Sequence, residues 1–489
     1  MPMSSSSPNV LILMTDQHRW DYLGCVTPSV PTPNLDRLAK RGTRFSEAVC
    51  PAPMCIPSRY ATFLGLYPSQ LGTRNNSQTL QNHAHFPVPT LFERFRDAGY
   101  HTIGSGKTHW VQPPNPAHGI PPPTSTSYGF DQRFIARMAG GYDSEPGAVC
   151  MGDPGQLPDE IEAIRALNQR CGYGGEGPPG YVGGVLPGDG ATLREAWSTD
   201  RFLEALEARP RHQPWLGYLS FDAPHAPLFA PEEWIDRIDP AALPFPPQLP
   251  LPDADHFPPL AHTREAYEAW RTLSPAQQRE SLCRYAALCA YADAQFGRVL
   301  DWLERNAQIN NTLVVFLSDH GESLGDRNRF SKYSLYEASV RVPLILAGPG
   351  IQENVVDPRP ANLVDLMPTL LSACRLETPG ILPGENLLAP PIRSGALCEL
   401  HGNGMWPQPA PSLMWRTPEW KIILSGQGTW LEDRLGQTTP VRELYHLSSD
   451  PQETRNLYRD PAHAEMRAAL LAEALQHLLR NMAVWPGSG

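Results

Sequence analysis

Two unbroken apolar runs, Asn9-Val-Leu-Ile-Leu-Met14 and Thr312-Leu-Val-Val-Phe-Leu317, constrain this chain of 489 residues more than any other feature. Without polar alternation, such runs suit strands buried on both faces of a sheet that helices cover. Thr15-Asp16-Gln17 ends the first run and Ser318-Asp319-His320-Gly321 ends the second. Pro343-Leu-Ile-Leu346, closed by Gly348-Pro349-Gly350, and Pro214-Trp-Leu-Gly-Tyr-Leu-Ser220 are further strand candidates. Helical patterns alternate with them. One runs from Pro33 to Lys40 with Thr32 as its N-cap, and another from Thr90 to Ala98, stopping at Gly99. From Arg279 to Arg305, apolar or small residues at 282, 285, 289, 292, 296, 299 and 303 predict a long helix with one buried stripe. Strands alternating with helices give an α/β fold: a large mixed, mostly parallel sheet covered by helices on both faces.

Two Pro/Gly-rich stretches, 111–190 and 240–260, show little periodicity and read as long loops folded over the active-site face. After about residue 375 the pattern changes. Leu413-Met-Trp-Arg416, Lys421-Ile-Ile-Leu424 and Arg442-Glu-Leu-Tyr445 read as short antiparallel strands, followed by a helix from about Ala462 to Leu479. The expected organisation is a catalytic α/β domain over 1–375 and a small sheet-and-helix subdomain over 376–489.

Charge narrows the function classes. With 40 basic and 51 acidic residues the net charge is −11, and no basic block exists to neutralise a phosphate backbone. Nucleic acid is therefore not an expected partner, whereas a small anion in a locally positive pocket is compatible with an acidic protein. Nine cysteines without repeating spacing give no disulfide framework. The apolar run Val10 to Met14 is too short for a signal peptide or membrane span, so the expectation is a cytoplasmic protein with no membrane partner. The residues leave a homo-oligomer open.

In open α/β sheets, ligands bind beyond the carboxyl ends of strands. If the two apolar runs are central and parallel, the Asp16 and Asp319 carboxylates converge there. They then need a counter-cation, or one must take up a proton. Adjacent Gln17 and His320 can complete a divalent-metal site. Gly106-Lys-Thr-His-Trp110 contains Gly-Lys-Thr, but a phosphate-binding loop needs a glycine at 101, which is His, so that reading is rejected.

Cys55-Ile-Pro-Ser-Arg59, with Gly65 six residues on, resembles the signature of the formylglycine-dependent sulfatases of the alkaline phosphatase superfamily. Gly106-Lys-x-His109, Ala223-Pro-His-Ala-Pro227, the strings ending the two apolar runs, and Glu443-Leu-Tyr-His-Leu-Ser-Ser-Asp-Pro451 with Glu453-Thr-Arg-Asn456 match that family's motifs in order. The likeness spans nearly the whole chain. The resemblance implies a set of roles. Cys55 is oxidised by a formylglycine-generating enzyme to an aldehyde whose hydrate is the nucleophile. Asp16, Gln17, Asp319 and His320 hold one divalent metal, to which the modified Cys55 adds an oxygen. Lys107, His225 and Lys332 contact a small anionic sulfate ester, with Asn76 as a further contact. Arg59 steadies the nucleophile, Asp319 or His109 takes a proton, and His225 assisted by Lys332 protonates the leaving group. Calcium is the metal the family implies first. Gln17 in place of a carboxylate and a nitrogen from His320 shift preference toward manganese or zinc. The expected activity is sulfate-ester hydrolysis. A phosphonate monoester or phosphodiester hydrolase with the same nucleophile, and a silent metal-binding homologue with unmodified Cys55, are the alternatives.

Overall fold

The computed structural model describes residues 7–76, 88–110, 128–136, 149–150, 183–247, 270–401, 411–425 and 441–482. The first apolar run is strand β1 (Asn9–Asp16), buried along its whole length. It lies near the middle of a nine-stranded sheet built from β1, β2 (Gly42–Val49), β3 (His101–Gly106), β4 (Gln132–Ile135), β5 (Val149–Cys150), β7 (Trp215–Pro224), β9 (Thr312–Ser318), β10 (Leu344–Ala347) and β11 (Val355–Asn362). Their order is β11-β2-β10-β9-β1-β7-β3-β4-β5. β10 runs antiparallel to both its neighbours, and the remaining pairs are parallel.

Because successive side chains on a strand alternate faces, β1 feeds two cores. Val10, Ile12 and Met14 pack toward helices α2 (Cys55–Leu64), α3 (Leu91–Asp97) and α6 (Leu366–Ala373). Leu11 and Leu13 pack toward α1 (Pro33–Lys40), α4 (Arg194–Ala208) and α5 (Pro275–Arg305). Helix α5 departs from the expected single stripe. The stripe residues are all buried, but so are Cys283, Ala286, Ala287 and Tyr291 between them. It is enclosed by α1, α4, the sheet and the parallel pair β6 (Gly183–Leu186) and β8 (Leu228–Pro231). Thr32 makes no side-chain cap for α1. Its hydroxyl accepts from the Gly24 N–H, and the Asp293 carboxylate of α5 instead accepts from the Asn34 and Leu35 N–H groups. A long-range carboxylate has taken the place that a local hydroxyl was expected to fill.

The 111–190 stretch is not a loop throughout. β4 and β5 extend the main sheet, and β6 pairs with β8; residues 111–127, 137–148 and 151–182, like 248–260 of the second stretch, lie outside the described residues. The C-terminal strands form a four-stranded antiparallel sheet, β12 (Ala396–Leu400), β13 (Ser412–Arg416), β14 (Trp420–Ser425) and β15 (Val441–His446), one strand more than the sequence reading. One face packs with α7 (Ala464–Met482) through Leu397, Trp415, Ile422 and Leu470. The other joins the main core through Cys398, Met414 and Ile423. Buried Arg416 and Lys421 reach across to Glu337 at 2.9 and 2.8 Å, and Lys421 also to Glu453 at 2.7 Å. Among the described residues, no helix is long and apolar enough to cross a membrane.

Candidate active site

β1, β9, β7 and β3 stand side by side, and their carboxyl ends deliver Asp16, Asp319, His225 and Lys107 to one edge of the sheet. Thr15 pairs with Ser318 in register, so the two aspartates that follow meet as neighbours. Gly106 is placed by necessity. Its φ is +85°, and a Cβ there would lie 1.8 Å from the Ser220 carbonyl oxygen. Only glycine lets β3 turn Lys107 inward beside β7.

Cys55 is the first residue of α2, and Arg59 follows one turn later on the same face. The Ser58 hydroxyl donates to the Asp319 carbonyl at 2.6 Å, and the Asn76 side-chain oxygen accepts from the Ile56 N–H at 3.1 Å, fixing the start of the helix. Arg59, fully buried, donates Nε to Asp319 Oδ2 at 2.7 Å and Nη2 to Asp16 Oδ2 at 3.1 Å. Its Nη1 holds the Lys107 carbonyl at 2.9 Å. Lys107 Nζ lies 2.9 Å from Asp16 Oδ2 and 2.8 Å from Asp222 Oδ1, and Arg194 reaches Asp222 at 3.0 Å.

The Cys55 Sγ is buried among polar groups. Lys332 Nζ lies 2.9 Å from it, His320 Nε2 3.3 Å and Asp16 Oδ1 3.8 Å, and His109 hydrogen-bonds it. Lys332 Nζ is also 2.8 Å from His225 Nε2. Burial and Asp16 push the thiol up, but Lys332, His320 and the His109 hydrogen bond outweigh them and hold it well below the usual thiol range. Burial likewise opposes ionisation of Asp16, and Lys107, then His225, Lys332 and Arg59 overcome it, so that its carboxyl is held low. Lys107 is kept protonated against burial by Asp16 and Asp222, and Asp222 is lowered to about 2, burial notwithstanding, chiefly by Lys107 and Arg194.

The donor set suits a divalent cation. One ligand atom each from Asp16, Cys55, Asp319 and His320 falls within 4.8 Å of all the others, and all four residues are buried. His320 Nε2 stands 3.7 Å from Asp16 Oδ1 and 3.6 Å from Asp319 Oδ1. Edges of this size match ligands held at about 2.0–2.6 Å from one ion. Gln17 lies beside this set, its N–H on Asp319 Oδ1 at 3.0 Å. Its Nε2 donates to Glu322 Oε2, while Oε1 is buried with no hydrogen-bond partner among the described residues. The residue has a φ of +64°, and His109 (+58°), Ser331 (+69°) and Tyr333 (+68°) are similarly constrained around the same site. Such backbone is held only where its surroundings over-determine it.

A sulfatase family model matches residues 8–375. The chain belongs to the sulfatase family. This sulfatase is 28% identical over 495 residues to the uncharacterized sulfatase YidJ of Escherichia coli (strain K12), covering 96% of this chain and 87% of that protein. It is 27% identical to the choline-sulfatase of Rhizobium meliloti (strain 1021), covering 96% and 86% respectively. Among solved structures, the phosphonate monoester hydrolase SpPMH from Silicibacter pomeroyi superposes with a TM-score of 0.74 at 26% identity, over 98% of this chain and 96% of that one.

All eleven site residues expected from the sequence fall in this region of the sulfatase. Asn76 stands apart in being committed to the start of α2. Sequence reasoning missed Asp222, Tyr285 and Glu322. Asp222 had a weak signal, three residues before His225 at the end of β7. Glu322 directly follows Asp-His-Gly. Tyr285 had none beyond the helical stripe, yet its hydroxyl donates to the Gln17 carbonyl at 2.5 Å.

Proposed function

We propose that this sulfatase hydrolyses sulfate monoesters of a small anionic substrate, with Cys55, converted to formylglycine, as the nucleophile beside a divalent metal. The carrying observation is the Cys55 side chain at the head of α2, with Lys332 at 2.9 Å and His320 at 3.3 Å. The converted residue supplies a geminal-diol nucleophile, and the metal supplies a Lewis acid for charge on the transferring group.

The chain's own groups divide the remaining work. Lys107 and Lys332 neutralise the non-bridging sulfate oxygens. The Asp319 carboxylate already accepts from the Gln17 and His320 N–H groups at 3.0 Å each and from Arg59. Three of its roughly four acceptor sites are thus taken and the last would face the metal, so His109 is the better placed of the two expected bases. His225 Nε2, beside Lys332 Nζ, donates the proton to the departing oxygen. Asp16, Gln17, Asp319 and His320, with an oxygen of the converted Cys55, hold the metal. Calcium is the first choice by family, and the imidazole nitrogen of His320 shifts the preference toward manganese or zinc.

A second reading, phosphonate monoester or phosphodiester hydrolysis, is supported by the likeness to SpPMH. A singly charged tetrahedral group is common to these substrates. One preparation assayed on 4-nitrophenyl sulfate, a phenyl phosphonate monoester and bis(4-nitrophenyl) phosphate tests both. A kcat/KM highest for the sulfate supports the first reading, and one at least tenfold higher for either phosphorus substrate replaces it with the second.

A further inference from the structure

Glu322 takes part in none of the steps above, although it is buried, 4% exposed, and lies three residues beyond Asp319. Three N–H donors converge on its carboxylate. Oε1 accepts from the backbone of Leu324 at 2.9 Å and from that of Ser331, and Oε2 accepts from Gln17 Nε2. Ser331 immediately precedes Lys332, so one carboxylate touches both the Gln17 amide and the loop that carries the lysine beside Cys55. That loop needs an anchor. Leu324, Arg327, Asn328, Ser331 and Tyr333 all have positive φ without being glycine. Its near end is also gripped by Arg19, whose Nη1 donates to the Glu322 and Ser323 carbonyls at 3.1 and 2.9 Å.

An amide side chain has two chemically opposite ends, and only its oxygen can ligate a metal. A carboxylate can only accept, so an amide facing it must present nitrogen. Gln17 accordingly turns its Oε1 away from Glu322, and that oxygen is buried with no hydrogen-bond partner among the described residues. The Gln17 backbone is pinned as well, with its N–H on Asp319 Oδ1 at 3.0 Å and its carbonyl on the Tyr285 hydroxyl. With the main chain fixed, the carboxylate selects which end of the amide faces the cation.

We propose that Glu322 is a positioning residue that orients the Gln17 amide oxygen toward the metal and ties that ligand to the Lys332 loop. This rests on the reading of Gln17 as a metal ligand. Groups that orient metal ligands typically change metal affinity by about 10–100-fold when replaced. In Glu322→Gln, the new amide cannot accept from the Leu324 and Ser331 N–H groups and from Gln17 at once. In the double variant Gln17→Glu/Glu322→Gln the polarity is reversed but matched. Residue 322 keeps an oxygen for the two backbone N–H groups and donates its nitrogen to the carboxylate at 17, whose second oxygen faces the metal.

The test measures dissociation constants for Ca2+ and Mn2+ by competition with a chromophoric chelator, and melting temperatures in excess EDTA. Wild type, Glu322→Gln, Gln17→Glu and the double variant are compared. Expected are an affinity about 10–100-fold weaker in Glu322→Gln and at least a tenfold recovery in the double variant. In EDTA, Gln17→Glu alone, with two carboxylates facing each other, should melt below the double variant. Wild-type affinity in Glu322→Gln, or a double variant that fails to fold, to recover affinity or to outmelt Gln17→Glu, overturns the proposal. A wild-type protein that binds neither ion overturns the metal-ligand reading itself, and this inference with it.

Discussion

Lys107→Met separates a catalytic lysine from a structural one, because the substitution keeps the aliphatic stem and removes only the charge. Lys107 Nζ bridges Asp16 and Asp222 at 2.9 and 2.8 Å in a buried setting. Removing one partner of a buried ion pair costs about 3–5 kcal/mol. Here each carboxylate retains a guanidinium, Arg59 for Asp16 at 3.1 Å and Arg194 for Asp222 at 3.0 Å, which places the loss near the lower end. Unfolding entropy of about 2.1 cal/mol/K per residue amounts to about 1 kcal/mol/K for a chain of this size. A loss of about 3 kcal/mol therefore lowers the melting temperature by about 3 °C. The effect on rate is larger. Loss of one preorganised cation on the transferring group costs about 2.7–4 kcal/mol of barrier, a fall in kcat/KM of about 100–1,000-fold. The assay is 4-nitrophenyl sulfate hydrolysis well below the variant's melting temperature, with melting followed by differential scanning fluorimetry. A variant that melts a few degrees lower but keeps kcat/KM within threefold of wild type would show that Lys107 is only a buried counter-charge, and the catalytic reasoning would fail.

Exhaustive chelation should abolish activity and lower the melting temperature, with about one divalent ion per chain recovered by elemental analysis; full activity in demonstrably metal-free protein would contradict the donor-set argument. Cys55→Ser should release at most about one leaving group per site in a burst and then stall with a covalent sulfate, because serine lacks the second hydroxyl that expels it; sustained turnover at the wild-type rate would remove the need for formylglycine. His477, tilted against the Trp415 ring and hydrogen-bonded to the Tyr67 hydroxyl, is lowered to about 4 by burial, then by Arg393 and Arg480. Between pH 6.5 and about 4 the unfolded chain takes up a proton there that the folded chain refuses, so this contribution is complete above pH 6.5 and is lost on acidification. Discounted for partial exposure, the effect is about 2 kcal/mol, and His477→Phe should flatten the urea-midpoint slope over that window. An unchanged slope would place the titration elsewhere.

What the sequence by itself determined was whatever depends on short-range pattern. The runs Asn9–Met14 and Thr312–Leu317 are apolar on both faces, and that is enough to make them central strands and to put Asp16 and Asp319 at strand ends. Cys55 and Arg59, four residues apart, share a helix face for reasons of helix geometry alone. Tertiary structure decided the rest. β4 and β5 are short and carry little pattern, and they are strands because β3 offers its edge to β4 and β4 in turn to β5. Thr32 is an ordinary N-cap candidate, but Asp293, more than 250 residues later, reaches the α1 N-terminus instead. Tyr285 reads as one more core position of a long helix until its hydroxyl is seen on the Gln17 carbonyl. Glu322 gains its meaning only when Gln17 and Ser331 arrive on either side of it. Local periodicity reports which face of an element is buried. A buried polar atom's role is set by the donor or acceptor opposite it, and here that partner is supplied by chain folded back from far away.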